Sequence, residues 1–294
     1  MKAVIGIILG CFCASVVSQS RISNGDLAAT GQFPYAVSLQ LTGNQQSTTR
    51  GHRCGGALIS LQHVLTTASC LFDFAAGGQY VLINPSQYRI FSGATLLTND
   101  TSADRVRAIQ NFTIHPDYTG TPALLNNIAI ITLTVPFAQN AVTPISLPAA
   151  SHNPADFTLC TVTGWGGVNS TTTGNTELMY ATKYIYNQDL CASLYNPVAG
   201  ALNILPSMVC AVSYDTMSSG CAGDDGNPLV CNGVFTGLLS LSDGCRSSSY
   251  PEVYTRVSNY TTWIRTISGS PSLYSSGIFI AIALLFAAQA SMFS

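Results

Sequence analysis

Eight cysteines, Cys54, Cys70, Cys160, Cys191, Cys210, Cys221, Cys231 and Cys245, lie downstream of an N-terminal leader. The leader begins with Lys2 and continues through the apolar run AVIGIILGCFCASVV (3–17), with Val16 and Ser18 as small residues at the minus-three and minus-one positions of a cleavage site. That run is short for a bilayer span, so residues 1–18 are expected to be a signal peptide, against the alternative of an uncleaved anchor. Cleavage removes Cys11 and Cys13 and delivers an even number of cysteines to an oxidising compartment. There they are expected to form disulfides rather than a metal site. The eight contain no CxxC pair, which argues against zinc. The residues alone leave the pairing open.

Staples of this kind suit a body of short strands, and the sequence supplies them. YAVSLQL (35–41), GALIS (56–60), HVLTTAS (63–69), IAIITL (128–133), CTVTGW (160–165) and VFTGLLSL (234–241) are rich in Val, Ile, Leu and Thr and are bounded by turn residues. Helical periodicity is scarce before residue 255. The exception is RVSNYTTWIRTI (256–267), where Val257, Tyr260, Trp263, Ile264 and Ile267 fall on one face. The expected fold is therefore all-β, a sandwich or barrel architecture closed by one C-terminal helix. Hydrophobic residues make up 47% of the 294, ample for a core, while only 8% are charged and the net charge is −2. No basic stripe is present, so nucleic acid is not an expected partner. The region 90–110 has no paired-acid calcium loop, and neither a metal nor a cofactor is implied. Four sequons, at Asn99, Asn111, Asn169 and Asn259, are candidate glycan sites expected on surface turns.

The composition changes after Ile267. Residues 268–276 are small and polar, GIFIAIALLFAA (277–288) is apolar, and no charge follows to Ser294. Three readings compete for 268–294: a GPI-attachment signal with small residues at Ser268, Gly269 and Ser270, a retained membrane span, or a tail without function. The first two place the protein on the outer face of a plasma membrane. The third leaves it secreted.

Seven blocks resemble the trypsin-like serine proteases and stand in that family's order. They are RISNG (21–25), CGGALISLQHVLTTASC (54–70), NNIAIITL (126–133), CTVTGWG (160–166), MVCA (208–211), GCAGDDGNPLVC (220–231) and YPEVYTRVSNYTTWI (250–264). The resemblance covers residues 22–267. It implies two six-stranded antiparallel β-barrels with a C-terminal helix, and a short pro-segment at 19–21. It implies disulfides Cys54–Cys70, Cys160–Cys231, Cys191–Cys210 and Cys221–Cys245. It also implies cleavage between Arg21 and Ile22, with the freed amine of Ile22 paired to Asp224.

The same resemblance locates a catalytic line from which the chemistry is missing. Acyl transfer by such enzymes needs a hydroxyl nucleophile, an imidazole base and a carboxylate that orients the base. The histidine position holds Ser69, the carboxylate position Asn127 and the nucleophile position Asp225. The oxyanion-hole positions are Gly223 and Asp225, and Asn227 stands where the family has a glycine that keeps the loop uncrowded. The pocket positions are Ser219 at the base, Ser240, and the wall positions Ser242 and Glu252, both larger than the family's glycines. A narrowed or closed pocket is expected, with Glu252 either buried with a partner or turned to solvent. Of the four histidines, His52, His63, His115 and His152, the first two flank the first-barrel motif at positions the family does not use for catalysis, and His115 lies in IHPDY, a surface stretch in family members.

The expected function is therefore that of a secreted or cell-surface, non-catalytic protease homologue. Its expected partner is an extracellular protein: an active protease, an inhibitor or a protease substrate, in a cascade, immunity or reproduction. The alternatives are an endopeptidase with unorthodox catalytic residues and a structural or storage glycoprotein.

Overall fold

A computed structural model describes residues 25–75, 78–167, 174–196, 203–214, 218–245 and 249–269. The leader, Arg21, Ile22, the Asn169 sequon and the tail from residue 270 lie outside the described residues.

The first half of the chain runs through β1 (Asp26–Leu27), β2 (Ala36–Leu41), β3 (His52–Leu58), β4 (His63–Thr66), β5 (Phe72–Ala75), β6 (Gln79–Leu82), β7 (Tyr88–Ser92), β8 (Val106–Ile114) and β9 (Ala129–Leu133). Six of these close an antiparallel barrel in the order β2-β3-β4-β9-β8-β7. β5 and β6 form a separate two-stranded hairpin. The second half runs through β10 (Leu159–Gly164), β11 (Met179–Tyr186), α1 (Gln188–Tyr195), β12 (Met208–Val212), β13 (Pro228–Cys231), β14 (Val234–Leu241), β15 (Glu252–Arg256) and α2 (Thr261–Ser268). Its strands follow the order β11-β10-β13-β14-β15-β12, and pairing of β12 with β11 closes the second barrel. β1 from the first half adds to β11, so the N-terminal segment straps one barrel to the other.

Each barrel has its own apolar interior. Val37, Leu39, Val64, Ile90 and Ile131 fill the first, and Val162, Met179, Leu229 and Leu239 fill the second. A third cluster joins them. Ala57, Leu65 and Ile130 of the first barrel meet Phe235 and Leu238 of the second, with Val257, Tyr260 and Ile264 from the C-terminal segment. Four disulfides connect Cys54 to Cys70, Cys160 to Cys231, Cys191 to Cys210 and Cys221 to Cys245. The second of these links the facing residues of β10 and β13.

Several expected boundaries shift for local reasons. The strand expected over 63–69 ends at Thr66, and Ala68–Leu71 turns as a 3-10 helix that presents Ser69. The helix expected over 256–267 begins as a 3-10 turn, Val257–Tyr260, and becomes α-helical only from Thr261. It stops at Gly269, whose φ of 62° provides the left-handed cap. Helix α1 was not expected from periodicity. Asn187 starts it by accepting the N–H groups of Asp189 and Leu190 through its side chain. Asn111 lies within strand β8 rather than on a turn, although it is exposed like Asn99 and Asn259.

Candidate functional site

The candidate site lies where strand ends of both barrels meet. The turn after β4 of the first barrel delivers Ser69, Asn127 lies two residues before β9, and the loop before β13 carries Asp225. Asn127 is fully buried. Its backbone carbonyl accepts from Thr255 Oγ1 at 2.8 Å, so the second barrel fixes its place. Its side-chain Oδ1 accepts the Ser69 N–H at 2.8 Å, and Nδ2 donates to Ser69 Oγ at 3.2 Å and to Ser240 Oγ at 2.8 Å. Ser69 Oγ in turn donates to Thr67 Oγ1 at 3.2 Å. Every member of this chain is neutral. A carboxamide takes no proton near neutral pH, and hydroxyls give one up only to a base.

Asp225 stands across the cleft. Its carbonyl accepts the Gly55 N–H at 2.9 Å, which ties the loop to the first barrel. The next residue must be glycine: Gly226 has φ of 79°, and a Cβ there would fall 2.3 Å from Thr66 Oγ1 and 2.5 Å from the Gly55 carbonyl. The Asp225 carboxyl is pushed up to about 6 by the protein packed round it, against the pull of the Arg53 guanidinium. Water still reaches the side chain, which is exposed by area, and solvent screening favours the charged form at neutral pH. On the other side of the loop, His52 Nε2–H donates to the Gly223 carbonyl at 2.9 Å, and His52 Nδ1 accepts from Ser38 Oγ at 2.7 Å. Burial lowers this imidazole to about 4. His52 thus ties the loop to β2, with Nε2 on the Gly223 carbonyl and Nδ1 on Ser38, and both its nitrogens are hydrogen-bonded. His63 bonds Ser60, His152 bonds Thr236, and His115 packs against the rings of Tyr260 and Trp263.

Asp224 is buried beneath the loop. Its carboxyl accepts the N–H groups of Gly166 at 3.0 Å and Cys221 at 2.9 Å, and Asn227 Nδ2 at 2.7 Å. Burial pushes it up to about 7, while these bonds pull it down. The expected crowding by Asn227 does not occur in the loop itself. Its carboxamide fills a slot that exists because Gly55 and Gly164 have no side chains: a Cβ on either would lie 1.7 or 1.8 Å from it.

Three of the pocket positions, Ser219, Ser242 and Glu252, form a second network, separate from Ser69 and Asn127. Ser219 Oγ donates to the Gly244 carbonyl at 2.8 Å, and Ser242 Oγ donates to the Gly220 carbonyl at 2.9 Å. The two segments that would flank a substrate side chain are hydrogen-bonded to each other, and Cys221–Cys245 links them again. Glu252 is buried rather than turned to solvent. It accepts the Gly220 N–H, the Tyr254 hydroxyl at 2.6 Å, and Lys183 Nζ at 2.9 Å. Lys183 is itself fully buried and also donates to the Ser218 carbonyl. Behind this ion pair lies a cavity of about 270 Å³, bounded by Lys183, Glu252, Ser219, Tyr186 and Tyr214 among others. Lys183 is the site residue that sequence reasoning missed. Ser240 bonds Asn127 and belongs to the first network.

Three comparisons place this geometry among known proteins. The family model described as "Trypsin" matches residues 22–264. The chain is 31% identical over 265 residues to trypsin CFT-1 of Choristoneura fumiferana, covering 90% of this chain and 97% of that one. It is 30% identical over 252 residues to trypsin alpha of Drosophila melanogaster, covering 85% and 88%. Among solved structures, human heparin binding protein is similar, with a TM-score of 0.67, 26% identity, and coverage of 84% of this chain and 97% of that one.

The Lys183–Glu252 pair predicts an asymmetry in stability. Lys183→Ala leaves a buried carboxylate unpaired and is expected to cost about 3–5 kcal/mol in urea unfolding. Lys183→Met combined with Glu252→Gln removes both charges and is expected to cost less than half of that. A double variant as unstable as the single one would refute the assignment of a paired buried charge.

His52 predicts a pH dependence. Its folded value of about 4 lies below the ordinary 6.5. Between those values the unfolded chain binds a proton that the folded imidazole does not. Its contribution is therefore complete above pH 6.5 and is lost as the pH falls toward 4. The stability of the wild type relative to His52→Gln is expected to shrink by about 2–3 kcal/mol between pH 7 and pH 4.5. A difference independent of pH would contradict the buried, neutral imidazole.

Proposed function

The chain belongs to the trypsin-like serine protease family, and from that premise we propose that it is a non-catalytic member that acts by binding. The observation that carries the reading is the neutral chain Thr67–Ser69–Asn127–Ser240, which occupies the place of a base and its orienting carboxylate. Loss of nucleophile or base alone costs on the order of a million-fold in turnover, and an intact oxyanion hole leaves roughly a thousand-fold over water. The hole is compromised here as well. A charged Asp225 beside the N–H groups of Gly223 and Asp225 opposes the negative charge they would have to stabilise. The one histidine in contact with the loop, His52, is held neutral and fully hydrogen-bonded, so it is a poor substitute base.

In this reading the protein is secreted or held at the outer face of the plasma membrane, with residues 1–18 removed and 268–294 as the candidate attachment signal. The partner is an extracellular protein of a proteolytic system: an active protease, an inhibitor or a protease substrate. Heparin affinity is not carried over from the similar human structure, because this chain has a net charge of −2 and no basic stripe.

The test is hydrolysis of fluorescent casein by the purified protein, compared with the triple variant Ser69→His, Asn127→Asp, Asp225→Ser. No turnover by the native protein is expected at any concentration. Turnover that survives repurification of the native protein would overturn the proposal.

A further inference from the structure

The hairpin β5–β6 stands apart from both barrels, and one of its faces is apolar from base to end. Cross-strand pairing sets Phe72 opposite Leu82 and Phe74 opposite Tyr80, and the pleat brings these four to the same face. At the base the face is covered: the Phe72 ring packs on Tyr118 at 5.9 Å and joins the core of the first barrel. Farther out it is bare. Phe74 and Tyr80 meet edge-on at 5.3 Å, yet they are 69% and 50% exposed, and Leu82 is 47% exposed. A two-stranded hairpin is marginal alone in water, and this one is braced rather than free. Arg53 donates to the Phe72 carbonyl and to Asp73, and the hydroxyls of Tyr80 and Thr121 are hydrogen-bonded. A braced hairpin that keeps aromatic side chains in water marks a surface that another molecule covers.

The surrounding charges say what kind of molecule. Residues 74–82 carry none. At the hairpin's base stand three exposed carboxylates: Asp73, Asp117 and Asp225. Asp73 and Asp117 are 58% and 78% exposed at the side chain. The Asp225 carbonyl lies 3.5 Å from Cys70 Sγ, two residues before Phe72, and Asp117 precedes Tyr118, on which the Phe72 ring packs. Asp73 alternates to the face opposite Phe72 and Phe74 and is paired with Arg53, so Asp117 and Asp225 are the carboxylates that border the aromatic face. The aromatic face is therefore bordered by net negative charge, complementary to a basic partner and repulsive to anionic lipid headgroups.

We propose that the β5–β6 hairpin and the carboxylates beside it form a docking surface for an extended segment of a partner protein in which apolar side chains are flanked by lysine or arginine. This rests on the binding function proposed above and names the surface that performs it.

The test is fluorescence anisotropy of the purified full-length protein with a labelled synthetic heptapeptide that alternates lysine with phenylalanine, valine and leucine. The controls replace every lysine with glutamate, or every apolar residue with serine. The wild type is expected to bind the first peptide at least about ten-fold tighter than either control. Phe74→Ser is expected to weaken binding at least about ten-fold with an unchanged melting temperature, since its side chain is 69% exposed and makes none of the bracing hydrogen bonds. Asp117→Asn with Asp225→Asn is expected to weaken binding and to flatten its dependence on salt. The proposal is overturned if the hairpin variant binds as tightly as the wild type, or if the glutamate peptide binds equally well. It is also overturned if the hairpin instead mediates binding to phosphatidylserine vesicles or self-association in sedimentation. Casein turnover would overturn the non-catalytic reading alone, whereas loss of hairpin-dependent peptide binding with casein untouched would overturn only this surface.

Discussion

The buried carboxyl of Asp224 is the point on which the cleft is organised. It collects the N–H groups of Gly166 and Cys221 and the carboxamide of Asn227, and so draws one strand end and two parts of its own loop to one place. With that loop fixed, the Asp225 carbonyl can meet the Gly55 N–H of the other barrel, and the Gly223 carbonyl can meet His52. A buried acid is costly unless its oxygens are satisfied. Asn227 and the glycines that make room for it, Gly55 and Gly164, are part of how this chain meets that cost.

The line from Ser69 to Ser240 is neutral and closed on itself by hydrogen bonds. Buried charged side chains lie under the pocket walls, as Lys183 and Glu252, elsewhere in the second half, as Asp224 and Arg256, and in the first barrel, where Arg89 and Asp100 form a largely buried pair. The hydroxyls of two pocket-position serines are committed to hydrogen bonds. Ser219 and Ser242 each bond the opposite wall. The line from Ser69 to Ser240 and the contacts of Ser219, Ser242 and Glu252 are thus separate sets of hydrogen bonds.

Much of the fold was legible because the strands are written in residues that suit them. IAIITL is β-branched and apolar, and β9 occupies Ala129–Leu133 within it. Helix α1 was not legible: eight residues give little periodicity, and Leu190 and Leu194 are exposed while Cys191 and Tyr195 are buried. Asn187 before Gln188 was the available signal, a capping residue at a helix start. The positions Ser69, Asn127 and Asp225 came from family motifs, since nothing in their residue types points to a common site. Lys183 was invisible for a different reason. It occupies an inward position in the alternation of β11, where a lysine in isolation reads as a misplaced polar residue. Its meaning depends on Glu252, which reaches it only when β15 and β12 close the barrel beside β11.

Because the pocket walls are tied together, a silent protein substrate cannot by itself separate missing chemistry from missing access. Hydrolysis of p-nitrophenyl acetate separates them, since this small activated ester needs no specificity pocket. The account predicts release of p-nitrophenol with no initial burst, at a rate equal to that of the Asp225→Ala variant. A burst stoichiometric with protein that disappears in Asp225→Ala would show that Asp225 acts as a nucleophile, and would contradict the claim that the catalytic line has been dismantled.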